Sequence, residues 1–316
     1  FLIGGVTQNT NESYALGSDP PFVVEGDEYD SAYFDKQPKF LHYRPQRAIV
    51  TSLEFDHADI YDDVDAYRQA FERFASLLPS DGLLALCGDH ATVRALATHT
   101  DATVRTYGLE AQNDVRATNL SSTERGTRFT MTLGETETDV HLALHGRHNV
   151  QNALAATTLA HAEGLSPSQI AEGLATFSGM KRRQEVRGEP NGILLLDDFA
   201  HHPTAVEATL QAVRAAHPDR RLIAVFEPRS NTSRRTRFET AYGEAFDAAD
   251  TVFLKAPPVR HNDETDDMLD PDAVVRTIGA RGTPARTFED IDALLPALVE
   301  TLRPGAVALL MSNGSF

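Results

Sequence analysis

One cysteine, no tryptophan and four lysines mark a chain of 316 residues by what it has little of. Cys87 alone permits neither an intrachain disulfide nor a cysteine zinc cage, which suits the reducing cytoplasm. No apolar run approaches the ~18 residues of a membrane-spanning helix, and no secretory leader pattern is present, so no membrane role is expected. Positive charge is scarce as well. Asp and Glu total 46 against 29 Lys and Arg, a formal charge of −17, the wrong sign for a nucleic-acid partner. Lys36, Lys39, Lys181 and Lys255 are the only lysines, so 29 − 4 = 25 basic residues are arginine. None of these lysines follows a glycine, so the chain carries no Gly-Lys-[Ser/Thr] phosphate loop of its own.

What remains is an ordinary globular balance, 41% hydrophobic and 24% charged, with enough apolar material for two cores. The length favours two domains. Phe22-Val23-Val24 and Ala48 to Leu53 are short apolar runs without alternation, the pattern of strands buried on both faces of a parallel sheet. Tyr67 to Leu78 has helical spacing and leads through Asp81-Gly82 into the strand Leu83 to Cys87. From Thr103 to Leu144 the period changes to 2, which predicts an antiparallel patch on that sheet. Helices are expected over Asn149 to Ala162 and Pro167 to Phe177, the second capped by Ser166.

A basic joint, Gly179 to Glu185, precedes a second α/β series. Its strands are expected at Ile193 to Leu196, Leu222 to Phe226, Thr251 to Leu254 and Ala306 to Met311. Its helices are expected at Pro203 to Ala216, Arg235 to Ala248, Pro271 to Ile278 and Ile291 to Leu302. Two domains follow, residues 1–183 and 184–316.

Four constellations carry polar chemistry at predicted strand ends, where doubly wound sheets bind ligands. Glu25 to Asp30 and Glu54 to Asp59 are acidic; Glu25 with His57 suits a hard divalent cation, and the clusters equally fit acid–base chemistry or solvated loops. Gly146 to Asn152 opens a helix on which Asn149 and Asn152, three apart, share a face fit to read a base edge or simply to start a helix. Asp197 to Pro203 joins a strand to a helix, where free N–H groups meet an anion, a carboxylate takes ribose hydroxyls, or the chain merely turns. Glu227 to Arg235 is rich in donors for carboxylate or phosphate, and it also neutralises an acidic protein.

Taken in order, E-x-D-E-x-D, E-x-D-H-x-D, G-R-H-N-x-x-N, G-x-x-R-R and D-D-x-x-H-H-P resemble the Mur ligase family, the ATP-dependent amino-acid and peptide ligases of peptidoglycan synthesis. The resemblance implies a mostly parallel, P-loop-type central sheet with an antiparallel patch, followed by a Rossmann-like carboxyl-terminal α/β domain. It implies Mg²⁺ on Glu25 and His57, ATP with its base near His148, Asn149 and Asn152, its phosphates on Arg183 and its ribose on Asp198. His201 and the loop Arg229, Ser230, Asn231 and Thr232 would face the acceptor. Glu25, His57 and Arg183 would thereby take part in catalysis. The longer loop Tyr33 to Pro45 and the Pro228-Arg229-Ser230-Asn231-Thr232 sequence are similar to the branch that joins UDP-N-acetylmuramate to a murein tripeptide in recycling, rather than to the L-alanine-adding branch.

Phe1 to Gly5 reads like the middle of a domain and Leu309 to Gly314 like a strand running into a loop, so both ends read as cut. The resemblance places a phosphate loop upstream of Phe1 and a UDP-sugar domain before that; the chain alone is then expected to be inactive. A metal-dependent hydrolase on Glu25, Asp56, His57 and Asp59, or a nucleotide-binding remnant, are the competing expectations.

Overall fold

The computed structural model describes residues 1–30, 35–55, 60–61, 63–257 and 267–314. The chain divides into two compact units, Phe1–Gly179 and Met180–Phe316, a boundary just ahead of the basic residues of the joint.

The first unit holds a six-stranded sheet: β1 (Arg47–Val50), β2 (Leu83–Cys87), β3 (Thr103–Gly108), β4 (Val115–Thr123), β5 (Gly126–Leu133) and β6 (Thr136–Leu142), paired in that order. Strands β1 to β4 run parallel, and β5 and β6 continue antiparallel. The antiparallel patch expected from Thr103 therefore begins a strand later, because β3 pairs in parallel with both neighbours. Its join to β4 is unusually short for parallel strands, which ordinarily need a crossover of a dozen or more residues. Only Tyr107↔Val115 and Gly108↔Arg116 are paired, so the chain steps sideways and back within six residues, 109–114.

Helices α1 (Val64–Ser76), α2 (Ala91–Arg94), α3 (Arg147–Ala162) and α4 (Pro167–Thr176) complete the unit. The Asp63 carboxylate caps α1 by accepting from the Ala66 N–H at 2.7 Å, and α1 buries Tyr67, Ala70 and Phe74. Ser166 and Gln169 form a reciprocal capping box before α4, with Pro167 at its first position. The run Phe22-Val23-Val24 is not a strand. Only Val24 bridges, to Leu2, and Val23 is 60% exposed, since no neighbouring strand among the described residues takes up the rest of its ladder.

The second unit has a sheet ordered β11-β10-β9-β12-β8-β7. Its strands are β7 (Glu185–Gly188), β8 (Leu194–Asp198), β9 (Leu222–Glu227), β10 (Thr251–Lys255), β11 (Ala285–Phe288) and β12 (Val307–Ser312), all parallel except β7. Period-2 geometry divides β9 between two cores. Leu222, Ala224 and Phe226 pack with residues of α5 (Pro203–Ala216), α6 (Glu239–Ala245) and α7 (Pro271–Ala280). Ile223 and Val225 pack with Leu294 and Leu298 of α8 (Ile291–Thr301) on the other face. Both faces being covered explains the unbroken apolar runs. The single helix expected over Arg235 to Ala248 is a 3₁₀ turn, Thr236–Phe238, followed by the shorter α6.

Candidate functional site

In the first unit, polar side chains gather at the carboxyl ends of β2 and β3 around Asp89. Its carboxylate accepts from the N–H groups of Leu109 at 2.8 Å and Glu110 at 3.1 Å, from Asn113 Nδ2 at 2.8 Å and from Gln151 Nε2 at 2.7 Å. Burial alone pushes the Asp89 carboxyl up, but these donors outweigh it and hold it below its ordinary value. The strands end in glycine for a steric reason. A β-carbon at Gly88 would lie 1.8 Å from Asn113 Oδ1, and one at Gly108 2.2 Å from Asp89 Oδ1. Asp89 thus pins the short β3–β4 step and, through Gln151, the first turns of α3.

That helix starts at Gly146, whose φ of +100° is a conformation open to glycine. Asn149 Nδ2 donates to the His145 carbonyl at 2.8 Å, so part of its amide is spent within the turn. Asn152 is exposed, and His148, next to Asn149 in sequence, is half-buried. The structure therefore leaves Asn152 the most accessible of the three expected base contacts. Glu25 is exposed, and its carboxylate accepts from the Gly4 N–H. His57, with Asp56 and Asp59, lies outside the described residues. Among the described residues no group of three His, Cys, Asp or Glu is placed to hold a metal ion.

In the second unit the parallel strands bring Asp198, Glu227, Lys255 and Ser312 to one edge, with Ser312 paired to Glu227 and Met311 to both Asp198 and Phe226. Arg182 and Gln184 adopt φ of +57° and +50°, an uncommon state for residues with side chains. The strained turn is held from several sides. The Arg182 carbonyl accepts from the Phe199 N–H at 2.8 Å, its guanidinium donates to the Ser312 carbonyl at 2.6 Å, and the Gln184 N–H donates to Asp198 Oδ2 at 2.8 Å. Arg183, between them, is exposed, with its guanidinium carbon 5.3 Å from the Phe199 ring centre.

Asp198, expected at the ribose, is enclosed and bonded to the backbone. It is 2% exposed, and its oxygens accept from the backbone N–H groups of Ala200, at 2.7 Å, and Gln184. Burial pushes its carboxyl above the ordinary value despite those bonds. The carboxylate braces the turn at Gln184.

Arg229 does reach the edge. Its side chain lies against Gly314, where a β-carbon would stand 2.4 Å from its Cδ, and its Nη1 lies 3.7 Å from Glu227 Oε2. Glu227 is 2% exposed; Ser312 Oγ donates to its Oε2 at 2.8 Å, and Lys255 Nζ lies 3.0 Å from its Oε1. Ser230 and Asn231 are half-buried and shape the loop. The Ser230 hydroxyl accepts from the Ser233 N–H at 2.9 Å, and its carbonyl accepts from Arg234 Nε at 3.3 Å. Thr232 is 4% exposed. His201 Nδ1 lies 3.1 Å from the Phe199 carbonyl, and its own carbonyl accepts from the Tyr242 hydroxyl. Asn313 Oδ1 is buried with no hydrogen-bond partner among the described residues.

Sequence reasoning missed Asp89, Gln151, Arg182, Lys255 and Ser312. Gln151 and Arg182 stood inside recognised motifs and Lys255 directly after a predicted strand; Asp89 and Ser312 carried no motif.

The chain thus has two α/β units, the first parallel with an antiparallel extension and the second parallel except for β7, each with polar side chains gathered at strand ends. Residues 22–160 match the model of the Mur ligase middle domain, and residues 182–314 that of the Mur ligase glutamate ligase domain. The chain is 37% identical to the UDP-N-acetylmuramate–L-alanyl-γ-D-glutamyl-meso-2,6-diaminoheptandioate ligase of Escherichia coli, over 100% of its length and 67% of that protein. It is 35% identical to the UDP-N-acetylmuramate–L-alanine ligase of Chlorobaculum parvum, over 99% of the chain and 66% of the relative. Among solved structures, a murein peptide ligase from Psychrobacter arcticus superposes with a TM-score of 0.65 at 31% identity, covering 93% of this chain and 60% of that one. The chain belongs to the Mur ligase family and spans about two thirds of the length of the curated relatives it matches.

Proposed function

We propose that the full-length protein is an ATP-dependent ligase joining the muramate carboxylate of UDP-N-acetylmuramate to the amino group of L-alanyl-γ-D-glutamyl-meso-diaminopimelate, in the cytoplasm, for peptidoglycan recycling. One observation carries the reading: relatives named for ligation to UDP-N-acetylmuramate match the chain from end to end. The muramate oxygen attacks the γ-phosphorus of ATP, ADP departs, and an acyl phosphate forms. The peptide amine then attacks the acyl carbon, phosphate leaves, and the amine gives up a proton to solvent.

Within the chain, Asn149 and Asn152 at the start of α3 are suited to the base, with His148 in the same first turn. Arg183, an exposed guanidinium on a strained and braced turn, is suited to phosphate. Glu25 is an exposed hard oxygen donor and fits Mg²⁺, with His57 as its second ligand. When bound, the ion neutralises charge on the phosphates. Arg229, immobilised against Gly314, suits a carboxylate of the acceptor.

The acceptor is the finer part of the proposal. The tripeptide is favoured by the Arg229 loop sequence; identity of 35% to an L-alanine-adding relative keeps that acceptor as the second reading. The full-length enzyme, given UDP-N-acetylmuramate, ATP and both acceptors in competition, is expected to consume the tripeptide. Clear preference for L-alanine would replace the first reading by the second. Phosphoester cleavage without ATP would favour a hydrolase instead.

A further inference from the structure

We propose that Asp89 is a positioning residue for nucleotide binding: by holding the Gln151 side chain it fixes the start of α3, and with it the contacts that select the base of ATP. This rests on the placement of the base at α3 under the ligase reading. It gives a task to two residues outside the expected base contacts.

The start of α3 is a weak place to build a site. The helix begins on Gly146, which has no side chain to cap the free N–H groups, and an uncapped start frays. Asn149 and Asn152 lie in its first two turns. Val150 is buried between them, but apolar burial has no direction and does not fix where the neighbouring amides point. The bond from Asn149 Nδ2 to the His145 carbonyl lies within the turn and moves with it.

Gln151 supplies the direction. Its Nε2 donates to Asp89 Oδ2 at 2.7 Å, which ties the helix to the end of β2, 62 residues earlier. Asp89 is itself held by the N–H groups of Leu109 and Glu110 and by Asn113 Nδ2. Those bonds keep its carboxyl below the ordinary value, so at neutral pH it is ionised and accepts from Gln151 without alternative.

What the tie aims is an acceptor. With its nitrogen engaged by His145, Asn149 cannot turn its amide over, and among the described residues its Oδ1 has no hydrogen-bond partner. An amide oxygen in fixed orientation accepts from the exocyclic amino group of adenine and opposes a carbonyl at the same place. Asn152 has no side-chain bond among the described residues, so it can present either end and discriminates less. The ligand class is therefore a purine nucleotide with an exocyclic amino group where Asn149 meets it.

The test uses the full-length protein. Calorimetry measures the affinity of ATP and of the purine nucleoside triphosphate lacking the exocyclic amino group, whichever acceptor the enzyme consumes. Gln151→Met removes one donor to Asp89 and keeps the other three. It is expected to weaken ATP about tenfold, as when the competent turn is populated a tenth of the time, and to weaken the analogue much less. In ligation the ATP KM should rise, with kcat and acceptor KM near wild type. Asp89→Asn should repeat the change, and adding it to Gln151→Met should weaken ATP no further, since the two residues share one contact. Equal weakening of ATP and the analogue, or a lower melting temperature with unchanged ATP affinity, would show that the tie is structural alone. Additive losses would overturn the route through Gln151. If Asn152→Ala weakens ATP and Gln151→Met does not, this proposal fails by itself; if neither does, the placement of the base at α3 fails with it.

Discussion

Each unit builds its strand-end chemistry around one carboxylate, but the two carboxylates keep different company. Asp89 is surrounded by neutral donors from the backbone, an asparagine and a glutamine. Glu227 is surrounded by a lysine, an arginine and a serine. Neutral donors make a directional knot that sets the path of a short loop and the first turns of a helix. Cations and a hydroxyl make a knot that neutralises a buried charge. The first arrangement orders a loop by direction; the second holds a buried charge by neutralising it.

The comparison breaks most visibly at Asp89. Asp89→Ala strands four donors in a half-enclosed turn, and bonds to a charged acceptor contribute ~1.5–3 kcal/mol each. Urea unfolding of the chain should show the transition of the first unit destabilised by roughly 3 kcal/mol or more, with that of the second unit unmoved. An unchanged midpoint would mean that the β3–β4 step is held by its strands alone.

Gly314→Ala probes the other knot. The new methyl would collide with Arg229 Cδ at 2.4 Å and displace the guanidinium from its seat. The acceptor KM of the full-length enzyme is expected to rise about tenfold, the scale of one charge-assisted bond, with little change in melting temperature. A large loss of stability would place Gly314 in the fold rather than the site.

Titration sharpens the contrast between Asp89 and Asp198. Asp89 is held low, so its contribution to stability is present above the ordinary Asp value of ~3.9 and lost as pH falls through its lower folded value. Asp198 is pushed up by burial, so the sign reverses: its contribution is present below ~3.9 and fades as pH rises through its folded value. Carboxyl-carbon chemical shifts across an acid titration should place Asp89 below and Asp198 above the exposed aspartates. The reverse order would overturn both environments.

The smallest effect is expected at Asn152. It is exposed on α3, so Asn152→Ala should leave the fold intact and raise the KM for ATP only a few-fold, about 1 kcal/mol for one hydrogen bond. A larger shift in acceptor KM than in ATP KM would remove the helix from the nucleotide.

Elements with a strong local pattern were legible in the sequence. Pro203–Ala216 follows from its leading proline and apolar spacing, and the Ser166-Pro167 cap opens α4 where expected. Edge strands were not. Glu185–Gly188 contains one large apolar residue, Val186, which is exposed, so no alternation reveals it. The donor-rich Arg229 loop could be read because its chemistry is contiguous. Asp89 could not, because its four partners come from residues 109, 110, 113 and 151 and only folding assembles them. The burial of Asp198, which bears on the ribose role expected for it, is something a strand-end aspartate does not display in sequence.

The last strand of the second unit is also the one that joins its sheet, since β12 lies between β9 and β8. Until residues 307–312 leave the ribosome, β8 with β7 and β9 with β10 and β11 are separate ribbons with open edges. Such non-local closure is slow, and it exposes strand edges while it waits. The same late strand brings Ser312 to Glu227 and, with Gly314 after it, the seat of Arg229. The edge that carries Glu227 and Arg229 is thus completed only once β12 has joined the sheet, and a nascent chain that has not reached residue 312 has no such edge to offer.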